Sequence, residues 1–377
     1  MHRAGARYAT PREMEAKTKV RYAVAGIGNI AQVAVLPAFA HAKANSELVA
    51  IVSSDPEKRA ELSERYQLTF AGGYEDFEAI LEQGDIQAVY IATPNTLHKS
   101  LALRAAARGV HVLCEKPMAT SVADCEEITE ACERANVKLM CAYRLHFEEA
   151  NLSAMEIVQS GQIGEARIFE SVFSHVVRPG DIRTRAELGG GACFDLGIYC
   201  VNAARNLFRA EPTLVYGTAL MRNGTDDTTT AILQFPGGRV AHFTVSNSVT
   251  AVSSYRVAGT EGDLRVEPAY EYTDKLEHHL TVEGKTTNRT FGKRDQFAPE
   301  LEYFSSCILE GRAPEPDGEE AIDDLRVIEA ILESAASGKP IPLTPRQRRR
   351  RPNARQESKK PAVGKQETVN APSPSLK

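Results

Sequence analysis

The 377-residue chain contains no tryptophan, so no indole can supply a stacking wall for a ligand. Its seven cysteines (Cys114, Cys125, Cys132, Cys141, Cys193, Cys200 and Cys307) are odd in number and never spaced C-x-x-C. That excludes a zinc ribbon or a thioredoxin-type pair, and their apolar or helical surroundings predict buried free thiols. No H-E-x-x-H occurs and His278 and His279 are adjacent, so no metal centre is expected. No run approaches the ~18 apolar residues of a membrane helix. Met1 to Thr18 is polar and charged without an apolar core, unlike a secretory signal, and a cytoplasmic protein is the expectation.

What is present describes a globular protein, 42 % hydrophobic and 25 % charged, and long enough for two domains. The charge is unevenly placed. Residues 345–377 hold ten Lys or Arg against two Glu, a net +8 that leaves −13 on the rest of a chain whose total is −5. This end is rich in Pro, Ser, Gln and Lys and predicts a disordered basic tail. Its Arg348 to Arg351 run could attract nucleic acid, but an acidic body opposes phosphate binding, so a nucleic-acid partner is not expected. The expected organisation is an extension over 1–18, a dinucleotide-binding domain over 19–143, a substrate and dimerisation domain over 144–344, and the tail.

The organising stretch is Val20 to Ala31, which reads as a buried strand, a tight turn and a helix start. Gly26 can turn the chain where φ must be positive, Gly28 lets the backbone approach a pyrophosphate, and Ala31 permits close helix packing. Free N–H groups from Asn29 and Ile30 onward would then meet the phosphates. The next strand, Glu47 to Ser54, ends on Ser53 and Ser54 where a carboxylate would select NAD. Lys58 and Arg59 follow one helical turn later. Hydroxyls and cations suit a 2′-phosphate, which favours NADP over NAD, although both cations also suit a solvated helix face. Asp55 beside them reads as a helix N-cap, with Pro56 at the first helical position.

Strands and helices alternate from there. A helix over Ile30–His41 kinked at Pro37, helices over Pro56–Tyr66, Tyr74–Gln83, Thr96–Arg108 and Val122–Ala135, and strands over Ala88–Thr93, His111–Glu115 and Lys138–Tyr143 imply a doubly wound parallel sheet. After Tyr143 the pattern changes to a helix over Glu148–Ser160, a strand over Ala166–Val176 and an apolar helix over Cys193–Phe208. Alternating strands follow at 214–221, 228–235, 239–248, 254–259 and 263–267, then helices over Pro299–Glu310 and Glu319–Gly338. This predicts an α+β domain with an open, mostly antiparallel sheet, whose bare face calls for self-association.

Ligands of parallel sheets bind at the carboxyl ends of the strands. Asn95, Glu115-Lys116-Pro117 and Tyr143-Arg144 occupy such ends. Lys116 there could stabilise alkoxide character during hydride transfer, or simply extend to water. Asp195 and Tyr199, after the triple glycine 189–191, share a helix face at i, i+4. A phenol buried beside a cation can serve as general acid/base, and it can equally be a core tyrosine bonded to a carbonyl.

Three runs, Cys114-Glu-Lys-Pro-Met-Ala-Thr-Ser-Val-Ala-Asp-Cys125, Thr93-Pro-Asn-x-x-His98 and Gly-Gly-Gly-x-x-x-Asp195-x-Gly-x-Tyr199, resemble the family of glucose-fructose oxidoreductase and inositol dehydrogenase. The similarity spans Lys19 to Pro340, including Val257-Ala-Gly-Thr-Glu-Gly-Asp263. It implies a Rossmann domain, a sheet domain that pairs through its open face, and a cis peptide before Pro117. It also implies cofactor contacts from Thr93, Asn95, His98, Glu115 and Lys116, a 2′-phosphate site at Ser53 and Lys58, and Tyr199 as catalytic acid/base with Lys116 and Asp195. In its sugar-oxidising branch a Trp-Arg pair often precedes the glycine run, whereas this chain has Ile182-Arg183. The twin-arginine export signal and long N-terminal arm of glucose-fructose oxidoreductase are also missing. The expected activity is NADP-dependent hydride transfer at a sugar carbinol, at C1 of an aldose, with Arg144 and Arg183 on substrate hydroxyls and a homodimer or homotetramer as the assembly. Sugar–sugar oxidoreduction with retained NADP and a non-catalytic cofactor-sensing regulator stand as rivals.

Overall fold

The computed structural model describes residues 19–348 and 350–376, so the predicted N-terminal extension lies outside the described residues. The first half forms a six-stranded parallel sheet in the order β3-β2-β1-β4-β5-β6. Its strands are β1 (Val20–Ala25), β2 (Ser46–Val52), β3 (Phe70–Gly72), β4 (Ala88–Ile91), β5 (His111–Glu115) and β6 (Leu139–Ala142). Nearly every residue of β1, β4 and β6 is buried, because helices cover both faces: α2 (Pro56–Tyr66), α3 (Phe77–Gln83), α4 (His98–Ala107) and α5 (Val122–Arg134).

The predicted helix over Ile30–His41 is shorter and not a simple kinked α-helix. A π-helical turn over Ala31–Val35 runs into α1 (Leu36–Ala38), with the Leu36 N–H bonded to Ala31 O. Pro37 has no N–H and its ring crowds the carbonyl four residues back, so the wider turn takes up the conflict. Asp55 caps α2 as expected, accepting from the N–H groups of Glu57 (3.0 Å) and Lys58 (3.1 Å).

The second half is a nine-stranded sheet in the order β14-β13-β12-β11-β7-β10-β9-β8-β15, antiparallel except for the β7–β10 pair. The strands are β7 (Ala166–Val176), β8 (Leu214–Arg222), β9 (Thr225–Phe235), β10 (Arg239–Ser246), β11 (Ser248–Gly259), β12 (Gly262–Val266), β13 (Leu276–Val282), β14 (Lys285–Phe291) and β15 (Ile341–Pro342). The α-helices that follow β6 are α6 (Glu149–Gln159), α7 (Ile198–Phe208), α8 (Ala298–Leu309) and α9 (Gly318–Ser337). Phe169, Phe243, Val245 and Leu233 of the sheet join α7 and α9 in one buried cluster. On the opposite face Ile168, Val172, Tyr216 and Ile232 stay more than 40 % or about 40 % exposed. The fold is therefore α/β with the expected open sheet. Strands β13 and β14 escape a periodicity search because β14 is exposed and polar from Lys285 to Thr290.

The tail is the main correction. Rather than disordered, residues 350–376 run over both halves of the molecule, and Val369 is buried within the β1–β2 core. Within the basic run Arg348 and Arg351 face inward, while Arg350 is exposed and donates to the Pro314 carbonyl. The Arg348 side chain is 6 % exposed and bonds Asp317 (3.1 Å) and Glu315 (3.3 Å), while Arg351 bonds Glu211 (2.6 Å). The acidic body that opposes external phosphate is what draws these arginines in.

All seven cysteines are free and buried, as expected. Among the described residues no helix is long and apolar enough to cross a membrane.

One consequence for stability concerns His111, whose Nδ1 accepts the Lys138 N–H (2.8 Å) and so must stay unprotonated. Burial, with help from the Lys138 charge, lowers its pKa to about 4. The unfolded chain takes up this proton near pH 6.5 and the folded chain only near 4, so the contribution is complete above 6.5 and lost as pH falls. With screening at this partly exposed site, we expect about 1–2 kcal/mol to disappear between pH 6.5 and 4. Urea titrations across that range would show it, and His111→Asn, whose amide does not titrate, should flatten the slope.

Candidate active site

The cleft begins at the end of β1. Gly26 has φ +88°, and a Cβ there would lie 2.6 Å from the Ala92 carbonyl oxygen and 2.7 Å from Thr93 Cγ2. Only glycine fits a turn pressed this closely onto the end of β4. Gly28 is the converse case: nothing lies within 4 Å of where its Cβ would be. That open groove, before a helix start whose first N–H groups have no intrahelical partner, has the shape and donors a diphosphate requires. At the end of β2, Ser53 is buried and Ser54 exposed. Lys58 Nζ lies 3.9 Å from Asp55, and Arg59 donates to the Ser53 carbonyl. Two cations and two serines thus gather where the ribose end of a dinucleotide would lie. The residues present fit such a cofactor.

At the other end of the cleft, Lys116 follows β5 and precedes a cis Lys116–Pro117 bond, as the resemblance implied. Its Nζ donates to the Asp195 backbone oxygen (2.8 Å) and Oδ1 (3.2 Å), and stands 4.6 Å above the Tyr199 ring centroid. Burial disfavours the ammonium, but Tyr199, Asp195 and Glu115 outweigh it and hold its pKa above the ordinary lysine value. Asp195 also accepts from Arg183 Nε (2.8 Å). Burial works against its charge too, yet Arg183, Lys116 and His175 hold its carboxyl well below the usual range. Tyr199 Oη accepts from Arg144 Nη2 (3.2 Å), and its ring packs edge-on against Phe173. Lys116, Arg183 and Asp195 are therefore charged at neutral pH, and the Tyr199 ring lies between the Lys116 and Arg144 cations.

Asp195 and Tyr199 do not share a plain α-helix. Cys193–Gly197 is a π-helical turn that passes into α7, and Lys116 rather than helical spacing joins the two side chains.

Several of the predicted contact residues are also bonded within the protein. His98 is fully buried, its ring nitrogens 2.9 Å from the Pro117 carbonyl and 3.0 Å from that of Thr93. It braces the loops that carry Lys116. Arg144 donates to Gln296, the Tyr270 carbonyl (2.6 Å) and Tyr199, which makes it a support for Tyr199. Asn95 donates to the Gly189 carbonyl (2.8 Å), tying the β4 loop to the glycine run. Glu115 Oε1 accepts from Tyr90 Oη (2.8 Å), which also lies 3.2 Å from Glu300. Burial raises the Glu115 pKa, and burial together with the Glu115 charge raises that of Glu300 much further.

His175, at the end of β7, was absent from the expected site. Its Nε2 is buried without a hydrogen-bond partner among the described residues, 3.9 Å from Asp195 Oδ2. A lone histidine inside a strand carries no sequence signal that would single it out.

Residues 20–143 match the family model described as "Oxidoreductase family, NAD-binding Rossmann fold", and residues 152–265 match the GFO/IDH/MocA C-terminal domain. The chain belongs to the GFO/IDH/MocA oxidoreductase family. Among relatives in that family, the D-xylose 1-dehydrogenase [NADP(+)] of Haloarcula marismortui is 34 % identical over 336 residues, covering 86 % of this chain and 93 % of that one. The aldose-aldose oxidoreductase of Caulobacter crescentus, solved with glycerol, superposes with a TM-score of 0.82 at 36 % identity, covering 86 % of this chain and all of that one. A 3-ketoreductase from Actinomadura kijaniata, solved with TDP-benzene and NADP, gives a TM-score of 0.78 at 26 % identity over 84 % of this chain and 98 % of that one. The chain is thus an oxidoreductase of this family.

Proposed function

We propose that the protein is an NADP-dependent aldose dehydrogenase that oxidises the C1 carbinol of a pyranose to a lactone. The observation that carries this reading is the junction at Lys116, whose ammonium bonds Asp195 and covers the Tyr199 ring at the nicotinamide end of the cleft. A bound nicotinamide supplies the hydride acceptor. The chain's own groups handle the proton and the oxygen. Tyr199 acts as base in its phenolate form, whose charge Arg144 meets, and becomes the neutral phenol on taking the hydroxyl proton. Lys116 and Asp195 orient the reacting oxygen, with Arg183 fixing the Asp195 carboxylate. His175 Nε2, buried 3.9 Å from Asp195 Oδ2, adds a polar group beside that carboxylate. The bare sheet face bearing Ile168, Val172, Tyr216 and Ile232 supports a homodimer or larger assembly built on it.

A panel of aldoses, ketoses and inositols with NADP and NAD in parallel, followed by nucleotide absorbance, tests the reading. Turnover of an aldose with NADP supports it, and turnover of no polyol while nucleotide still binds overturns it. The sugar–sugar alternative is favoured by the likeness to the aldose-aldose oxidoreductase and would show as nucleotide surviving purification. Against the regulatory alternative stand the assembled Lys116, Asp195 and Tyr199.

For the cofactor, Lys58→Ala should weaken NADP binding about ten- to a hundredfold, the loss of one charge-assisted bond worth ~1.5–3 kcal/mol, and leave NAD binding nearly unchanged. Fluorescence titration with both reduced nucleotides measures this. Equal losses for the two would remove Lys58 from the 2′-phosphate site.

A further inference from the structure

Residues 366–376 lie along the whole length of the cleft. At its ribose end Asn370 Nδ2 donates to Glu57 (2.7 Å) and Asp55 (3.3 Å), beside Ser53 and Ser54. At the diphosphate turn Asn29 donates to the Ala371 carbonyl (2.9 Å). Gln32, on the helix that leaves the turn, bonds Val369 in both directions, its Nε2 to the carbonyl (2.9 Å) and its Oε1 from the N–H (2.8 Å). At the substrate end the tail crosses to the other sheet. The Arg178 N–H reaches the Pro374 carbonyl (2.8 Å), and the Leu376 N–H reaches that of Val176 (2.8 Å), next to His175. Asn370, at φ +46°, makes the bend between the first two contacts.

This segment passes over the glycine turn, held at Asn29 and Gln32. Although Asn29 holds the tail, the space in front of Gly28 stays clear for 4 Å. The segment also has a fixed root, since Arg348, Arg351 and Lys360 pin the preceding residues to Asp317, Glu211 and Glu302. It can therefore lift and return without leaving the molecule.

We propose that residues 366–376 form a strap that closes over bound dinucleotide and sets the rate of its exchange. This rests on the NADP reading above. The test compares the full chain with one ending at Lys365, which keeps the arginine root, and with full-length Val369→Asp, which puts a charge where Val369 is buried and so unseats the strap without shortening it. Protein loaded with NADPH is mixed with excess NADP, and release is followed by nucleotide fluorescence. Release at least tenfold faster in both variants, with their melting temperatures free of nucleotide within a few degrees of the parent, is the expected result. Unchanged or slower release overturns the strap, as does tighter NADPH binding by the shortened chain, which would make the tail a competitor. Failure of the full chain to bind NADPH or NADP would instead overturn the cofactor reading, and the strap with it.

Discussion

Replacing Tyr199 by Phe is expected to lower kcat for aldose oxidation by about 10²–10⁴-fold, the range for loss of a positioned general acid/base, while the fold and nucleotide affinity stay as they are. The substitution is conservative in packing. The ring keeps its edge contact with Phe173 and its place beneath Lys116, and Arg144 keeps its bond to the Tyr270 carbonyl. Only the hydroxyl is removed. Steady-state kinetics with an aldose and NADP would separate the possibilities, because a structural tyrosine would give a kcat within a few-fold of the parent. A large rise in KM at constant kcat would assign Tyr199 to uniform substrate binding instead.

The largest effect on stability is expected at Arg205, a side chain with no exposed surface. Its guanidinium donates to Glu211 (2.5 and 3.1 Å), Glu320 (3.1 Å) and Asp324, with Asp323 3.5 Å away. Asn202 donates to Glu320 and Asp324 (both 2.9 Å), and Arg348 and Arg351 of the tail add two more cations. Arg205→Met would leave these carboxylates facing one another in a buried site, and breaking such a pair costs about 3–5 kcal/mol or more. Urea unfolding measures it, with Arg351→Ala as a milder companion should the first variant fail to fold. A loss below 1 kcal/mol for Arg205→Met would mean that the carboxylates take up protons at little cost and that the network contributes little.

These two sites differ in how far the amino-acid order reveals them. Lys116, Asp195 and Tyr199 stand at a strand end and after a glycine run, positions where topology alone puts chemistry, and their convergence was legible from sequence. Arg205 was not. It lies within an apolar helix, and its partners come from residue 211, from α9 and from the tail, so no local pattern joins them. The tail shows the same limit from the other side. With few large apolar residues it cannot build a core of its own, which is why its composition reads as disorder. It orders on surfaces already built, the carboxylates around α9 and the edge of the nucleotide cleft.

By itself the sequence determined the doubly wound sheet and its glycine turn, the following mixed sheet and the strand ends at which the reactive side chains sit. Hydrophobic periodicity and glycine placement act over a few residues and are read directly. Only the tertiary structure decided that His98 and Arg144 support the site from behind, that His175 enters it, and that residues 366–376 lie along the cleft. Each of those outcomes depends on pairing between groups far apart in the chain, where burial and charge are set by neighbours that local sequence does not specify.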